Sequence, residues 1–178
     1  MDRHIVLIGM MGAGKTAVGA ELARRLGTRF IDSDSEIESA AAMTIAEIFA
    51  RDGEDFFRAR ESEVLRRLLQ MRPGVISTGG GAWLRAENRD LIRQKSLSVW
   101  LDVDLETLWH RVRMRSTRPL LKTADPKGTL TQMLEARRPS YATAELVYPV
   151  GSSDSVEQTA SKLLQSIRTT HPELLGAS

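Results

Sequence analysis

Cysteine is absent from the 178-residue chain, which leaves neither a disulfide framework nor a thiolate metal site. Aromatic residues make up only 5%, and basic residues are interleaved with acids, so the composition offers no nucleic-acid-binding module. No apolar run approaches the roughly 20 residues of a membrane-spanning helix. The N-terminal stretch "MDRHIVLIG" enters an apolar run at once, too short and wrongly flanked for a secretory signal. His4, His110 and His171 are scattered, and none has a partner at metal-ligand spacing. Internal repeats, low-complexity segments and linkers are also missing, and the formal net charge is only +2. The expectation is a soluble, cytoplasmic, monomeric globular protein without nucleic-acid or membrane partners.

What is present suits one domain spanning residues 1–178, with 42% hydrophobic residues to build its core. Strand patterns alternate with helical ones. "HIVLIG" (4–9), "RFID" (29–32), "GVIST" (74–78), "LSVWLDV" (97–103) and "LVYPV" (146–150) are short apolar runs of the kind buried on both faces of a sheet. Helical spacing is expected over 15–27, from Thr44 to Gly53, and over 54–70, 85–95, 105–115, 129–138 and 155–168. Thr44 and Glu47 have the spacing of a capping box. Such alternation predicts an α/β fold, a five-stranded parallel sheet with helices on both faces. Ligands of such sheets bind at the carboxyl ends of the strands. Residues 169–178 are expected to be a flexible tail.

After the first strand stands "GMMGAGKT" (9–16), which fits G-x-x-x-x-G-K-[ST] between a strand and a helix. Backbone N–H groups of Gly12, Ala13, Gly14, Lys15, Thr16 and Ala17 can wrap a phosphate chain at the helix N-terminus. Lys15 brings a point charge to the β- and γ-phosphates, and the Thr16 hydroxyl suits Mg²⁺. ATP is thus the expected co-substrate and Mg²⁺ the expected cofactor.

Two aspartates, Asp32 and Asp34, close the second strand pattern. Two apart on a strand, they would share a face and repel each other unless a cation lay between them. Asp32 is therefore assigned to the metal, through a water, and Asp34 to the hydroxyl that accepts the phosphoryl group. The competing assignment makes both residues turn or N-cap groups for a helix starting near Ser35. A second glycine cluster, Gly79 to Gly81, follows the third strand and would let a ligand approach the backbone closely.

Taken together, GMMGAGKT at 9–16, DSD at 32–34, "GEDFFR" at 53–58, GGG at 79–81, RPLL at 118–121 and "RRPSY" at 137–141 resemble the shikimate kinase family. The resemblance runs from Ile5 to about Ile167. It implies a P-loop, nucleoside-monophosphate-kinase-like fold with a mobile lid at about 112–127. It also implies that ATP phosphorylates the 3-hydroxyl of shikimate, a step of aromatic amino acid biosynthesis. By the same resemblance Asp34 is the base, Arg58 and Arg137 hold the substrate carboxylate, and Gly79, Gly80 and Gly81 line the substrate. Arg118 becomes the lid arginine, Arg111 flanks the adenine, and residues Ser152 to Ser155 form the opposite wall.

The chemistry of the residues agrees with this pattern. A planar carboxylate is best met by arginine forks. Taken singly, Arg58 beside Glu54 and Glu61, or Arg137 beside Glu135, would pass for surface ion pairs. Tyr141, Tyr148 and Trp100 are expected to pack in the core, whereas Trp83 could pack or line the substrate pocket. Two other readings remain at this point: a kinase for gluconate or a nucleoside monophosphate, and a non-catalytic nucleotide-binding module.

Overall fold

His4–Ile8 forms β1, and all five of its residues are buried. Successive side chains of a strand point to opposite faces. The sheet is therefore covered on both sides at this strand. The computed structural model describes residues 1–114 and 123–175.

Around β1 the chain winds in the expected alternation. Lys15–Arg25 forms α1, Phe30–Asp32 β2, Ser33–Ala41 α2, Ile45–Leu69 α3 and Val75–Ser77 β3. Ala86–Lys95 then forms α4, Ser96–Asp102 β4, Leu105–Val112 α5, Pro126–Tyr141 α6, Leu146–Pro149 β5 and Val156–Thr170 α7. The five strands are all parallel, in the order β2-β3-β1-β4-β5. From β1 the chain runs through α1 to β2 on one side of the sheet, and after β3 it crosses to β4 on the other side of β1. That switch point opens a crevice at the carboxyl end of β1, where the glycine-rich loop begins. The core runs through β1, β3 and β4 and continues into Leu22, Leu65, Ile92, Leu163 and Ile167 of the covering helices.

Local chemistry accounts for most boundaries. Thr44 and Glu47 form the anticipated capping box at the start of α3. Ser155 and Gln158 form a second one at the start of α7. Gly53, with φ 82° and ψ 175°, divides α3 into the two helical stretches that the sequence separates at the same residue.

Several boundaries differ from the sequence reading, among them α5, which ends at Val112. Helix α6 starts at Pro126, three residues early, because Asp125 caps it and proline is well placed in a first turn. It also continues to Tyr141, through Pro139. At the C-terminus, α7 reaches Thr170, and Pro172–Leu175 makes a 3-10 turn. The buried side chain of Leu174 lies in that turn, and the Asp2 N–H donates to the Leu174 carbonyl. The short, polar "THPE" hid this ending from a periodicity argument.

One correction concerns the site. Asp32 and Asp34 do not share a strand face. Asp32 ends β2, but Asp34 already lies in the first turn of α2.

Candidate active site

The glycine-rich loop carries its own anion site. Gly14 is the N-cap of α1 and takes a left-handed conformation (φ 88°, ψ 17°), which costs glycine little. No side chain caps α1, and its first turn contains no acid. The first-turn N–H groups, which have no acceptor within the helix, and the positive end of the helix dipole suit an anion. The Lys15 ammonium lies across the loop and donates to the carbonyls of Gly9 (2.9 Å) and Met10 (2.8 Å). On α5, Arg111 donates to the Gly12 carbonyl at 3.1 Å, so the loop and the far side of the crevice are tied together.

Asp32 caps α2 and also reaches the glycine-rich loop. One carboxylate oxygen accepts the N–H groups of Asp34 (3.0 Å) and Ser35 (3.3 Å), capping α2. The other accepts the Thr16 hydroxyl at 2.8 Å. Two hard oxygen donors, one from the phosphate loop and one from the end of β2, therefore meet at one spot. That donor set suits Mg²⁺ carrying nucleotide phosphates.

The second glycine cluster is crowded by charge. A Cβ on Gly79 would lie 2.8 Å from Asp34 Oδ1. On Gly80 it would lie 3.1 Å from Arg137 Nη1, and on Gly81 it would collide with the Arg58 guanidinium. Three consecutive residues thus abut three charged side chains, brought in by α2, α6 and α3. Any side chain in this row would push at least one of them away.

Two members of the site escaped the sequence reading. Glu61, 2% exposed, accepts from Arg58 Nη1 at 3.0 Å through Oε1. Its other oxygen has no hydrogen-bond partner among the described residues and faces Gly79. Burial pushes its pKa up, the Arg58 guanidinium opposes this, and nearby Asp34 adds to the rise. The available signal was position: Glu61 sits four residues after Phe57 and four before Leu65, on the buried stripe of α3. Tyr141, expected only to pack, donates its hydroxyl to the Gly80 carbonyl at 2.6 Å. Burial raises its pKa, and Arg137 opposes the shift.

Trp83 is fully buried, and its indole N–H donates to the Ser140 carbonyl at 2.8 Å, so it packs rather than lining the site. An open cleft of about 620 Å³ borders Arg111, Trp109, Lys127 and Ser152. It places one of the four expected wall residues, Ser152, on the same cleft as Arg111. Arg118 lies outside the described residues.

The arrangement gathers a glycine-rich loop at a helix N-terminus, the Thr16–Asp32 oxygen pair, the Asp34 carboxylate beside Glu61 and two arginines at the carboxyl edge of one sheet. The sequence profile of the shikimate kinase family matches residues 11–168. A shikimate kinase of Cereibacter sphaeroides is 55% identical over 175 residues, covering 98% of this chain and 87% of that protein. The shikimate kinase of Ruegeria pomeroyi is 54% identical over 169 residues, covering 95% and 87%. Among solved structures, shikimate kinase from Acinetobacter baumannii in complex with shikimate superimposes with a TM-score of 0.90. It is 38% identical, with 95% of this chain and 94% of that one covered.

Proposed function

The chain belongs to the shikimate kinase family, and from that premise we propose how its own residues divide the work. The reaction moves the γ-phosphoryl group of ATP to the 3-hydroxyl of shikimate, giving ADP and shikimate 3-phosphate. The observation that carries the assignment is the row Gly79–Gly81, abutted in turn by Asp34, Arg137 and Arg58.

In this reading Arg58 and Arg137 grip the shikimate carboxylate from two sides. Charge-assisted forks of this kind fix orientation as well as affinity. Glu61 holds the Arg58 fork, and Tyr141 holds the Gly80 carbonyl, so the glycine row and the arginines keep their spacing. Asp34 then faces the 3-hydroxyl. As the hydroxyl oxygen bonds to the γ-phosphorus, the bond from that phosphorus to the β–γ bridging oxygen breaks. The hydroxyl proton passes to the Asp34 carboxylate, and ADP departs.

The loop residues Gly12 to Ala17 cradle the phosphates, with Lys15 supplying positive charge to the transferring group. Thr16 and Asp32 would hold Mg²⁺, Asp32 through a water. When bound, the ion neutralises phosphate charge. Arg111 and the stretch from Ser152 to Ser155 would flank the adenine. We assign Arg118 to the lid, expected at about 112–127, where it would cover the phosphates and help exclude water. We further propose that the protein acts as a monomer in the cytoplasm. In the structure itself, no described helix is long and apolar enough to cross a membrane.

The test is ADP production from Mg-ATP with shikimate, gluconate and nucleoside monophosphates as parallel acceptors. Stimulation by shikimate alone is expected. Stimulation by another acceptor would keep the kinase and discard the carboxylate assignment. ATP binding without acceptor-dependent turnover would leave a nucleotide-binding module.

A further inference from the structure

The last turn of α6 is poorly held by its own backbone. Pro139 has no N–H to give to the Glu135 carbonyl four residues earlier, and its ring crowds that carbonyl. Yet this turn carries Arg137 and Tyr141, whose ends both reach Gly80. Something outside the helix must fix its rotation.

The neighbouring residue does so through contacts to β4. Arg138 reaches the end of β4, with Nη1 3.2 Å from one carboxylate oxygen of Asp102 and 3.5 Å from the other. Its guanidinium also lies over the Trp100 ring, 5.5 Å from the centroid. Trp100 in turn packs against the Tyr141 ring, with centroids 5.8 Å apart. On the far flank the Ser140 carbonyl accepts the Trp83 indole N–H. Three anchor points therefore stand on residues 138, 140 and 141, around a proline that weakens the helix from within.

We infer that Arg138, clasped between the Asp102 carboxylate and the Trp100 ring, is a positioning residue that sets the angle at which Arg137 meets the substrate carboxylate. It touches no reacting group. Adjacent helix residues project about 100° apart, so a small rotation of this turn swings Arg137 directly. A misplacement near 1 Å can cost about 10²-fold in an enzyme site. The pair is half-exposed, so such surface contacts add little to stability. Its effect is therefore expected in substrate recognition rather than in folding. The inference rests on Arg137 binding the carboxylate, and its test separates the two.

Arg138→Met keeps an apolar stem over Trp100 but removes the fork, and Asp102→Asn weakens the same contact from the other side. Each is expected to raise the KM for shikimate about 5- to 20-fold, within the range a sub-ångström shift allows. The KM for ATP, kcat and Tm should stay near the parent values. Arg138→Lys should recover part of the loss. The double variant should be no worse than the poorer single one, because both act through one contact. Arg137→Met is measured alongside. If it raises the shikimate KM while Arg138→Met and Asp102→Asn do not, the positioning role is wrong and the carboxylate reading stands. If Arg137→Met changes nothing, both fall. Equal rises in both KM values with a large drop in Tm would also overturn the inference, leaving Arg138 a structural residue.

Discussion

At the residue scale, the decisive contrasts are between groups of the same type in different surroundings. Asp32 is spent on backbone and hydroxyl donors, whereas Asp34 sits against Gly79 beside a buried Glu61. The doublet was legible in the sequence, but its geometry was not. A face shared along a strand does not hold the two residues; a strand end and a helix start do. Glu61 was missed because its i,i+3 spacing to Arg58 suits an exposed ion pair equally well, and only burial separates the two cases. His4 makes a further case. Its Nδ1 accepts the Gly74 N–H at 3.2 Å, and Nε2 has no hydrogen-bond partner among the described residues. Burial, helped by Arg29, holds its pKa below the ordinary 6.5. The unfolded chain then binds a proton more readily than the folded one. The His4 contribution to stability is full above about 6.5 and is lost as the pH falls through the folded value. We predict that His4→Gln flattens the fall of Tm with pH below about 6.5. Parallel curves for the two proteins would show that His4 is not the group responsible.

At the scale of elements, the helices carry the charged groups and the strand ends set their spacing. Helix α3 is the clearest example. Its first stretch is started by the Thr44 capping box, and its second carries Phe57, Arg58 and Glu61. Between them Gly53 turns the chain in a conformation open essentially to glycine alone. Nothing lies within 4 Å of the position a Cβ would take there, so contact with neighbours adds nothing to the penalty. Gly53→Ala is therefore predicted to cost about 1–3 kcal/mol through backbone strain. Urea unfolding would register this as a lower midpoint with an unchanged slope. An unchanged midpoint would mean that the kink relaxes freely. This break was legible because glycine ends one apolar period and begins another. The start of α6 was not, because Pro126 and Gly128 look like loop residues until Asp125 is seen to cap them. Its last turn is held by Trp83, Trp100 and Asp102, all distant in sequence, and no local pattern announces such contacts.

At the scale of the whole molecule, one sheet brings the groups together. The order β2-β3-β1-β4-β5 puts the glycine-rich loop after β1, Asp32 at the end of β2 with Asp34 just beyond it, and the glycine row after β3 along one edge. The parallel sheet and that edge followed from the alternation of apolar runs and helical periods. Which arginines converge there did not follow from alternation. Arg58 and Arg137 come from helices far apart in the chain, and only the family resemblance singled them out from many similar arginines. The measurement that tests the account most directly is turnover by Asp34→Asn at saturating ATP and shikimate. Asparagine keeps the shape and the α2 start but cannot accept the hydroxyl proton. A loss of about 10²–10⁴-fold in kcat, with weaker shikimate binding, is the predicted result. Turnover near that of the parent protein would contradict the assignment of Asp34 as the base and, with it, the reading of the glycine row as the acceptor site.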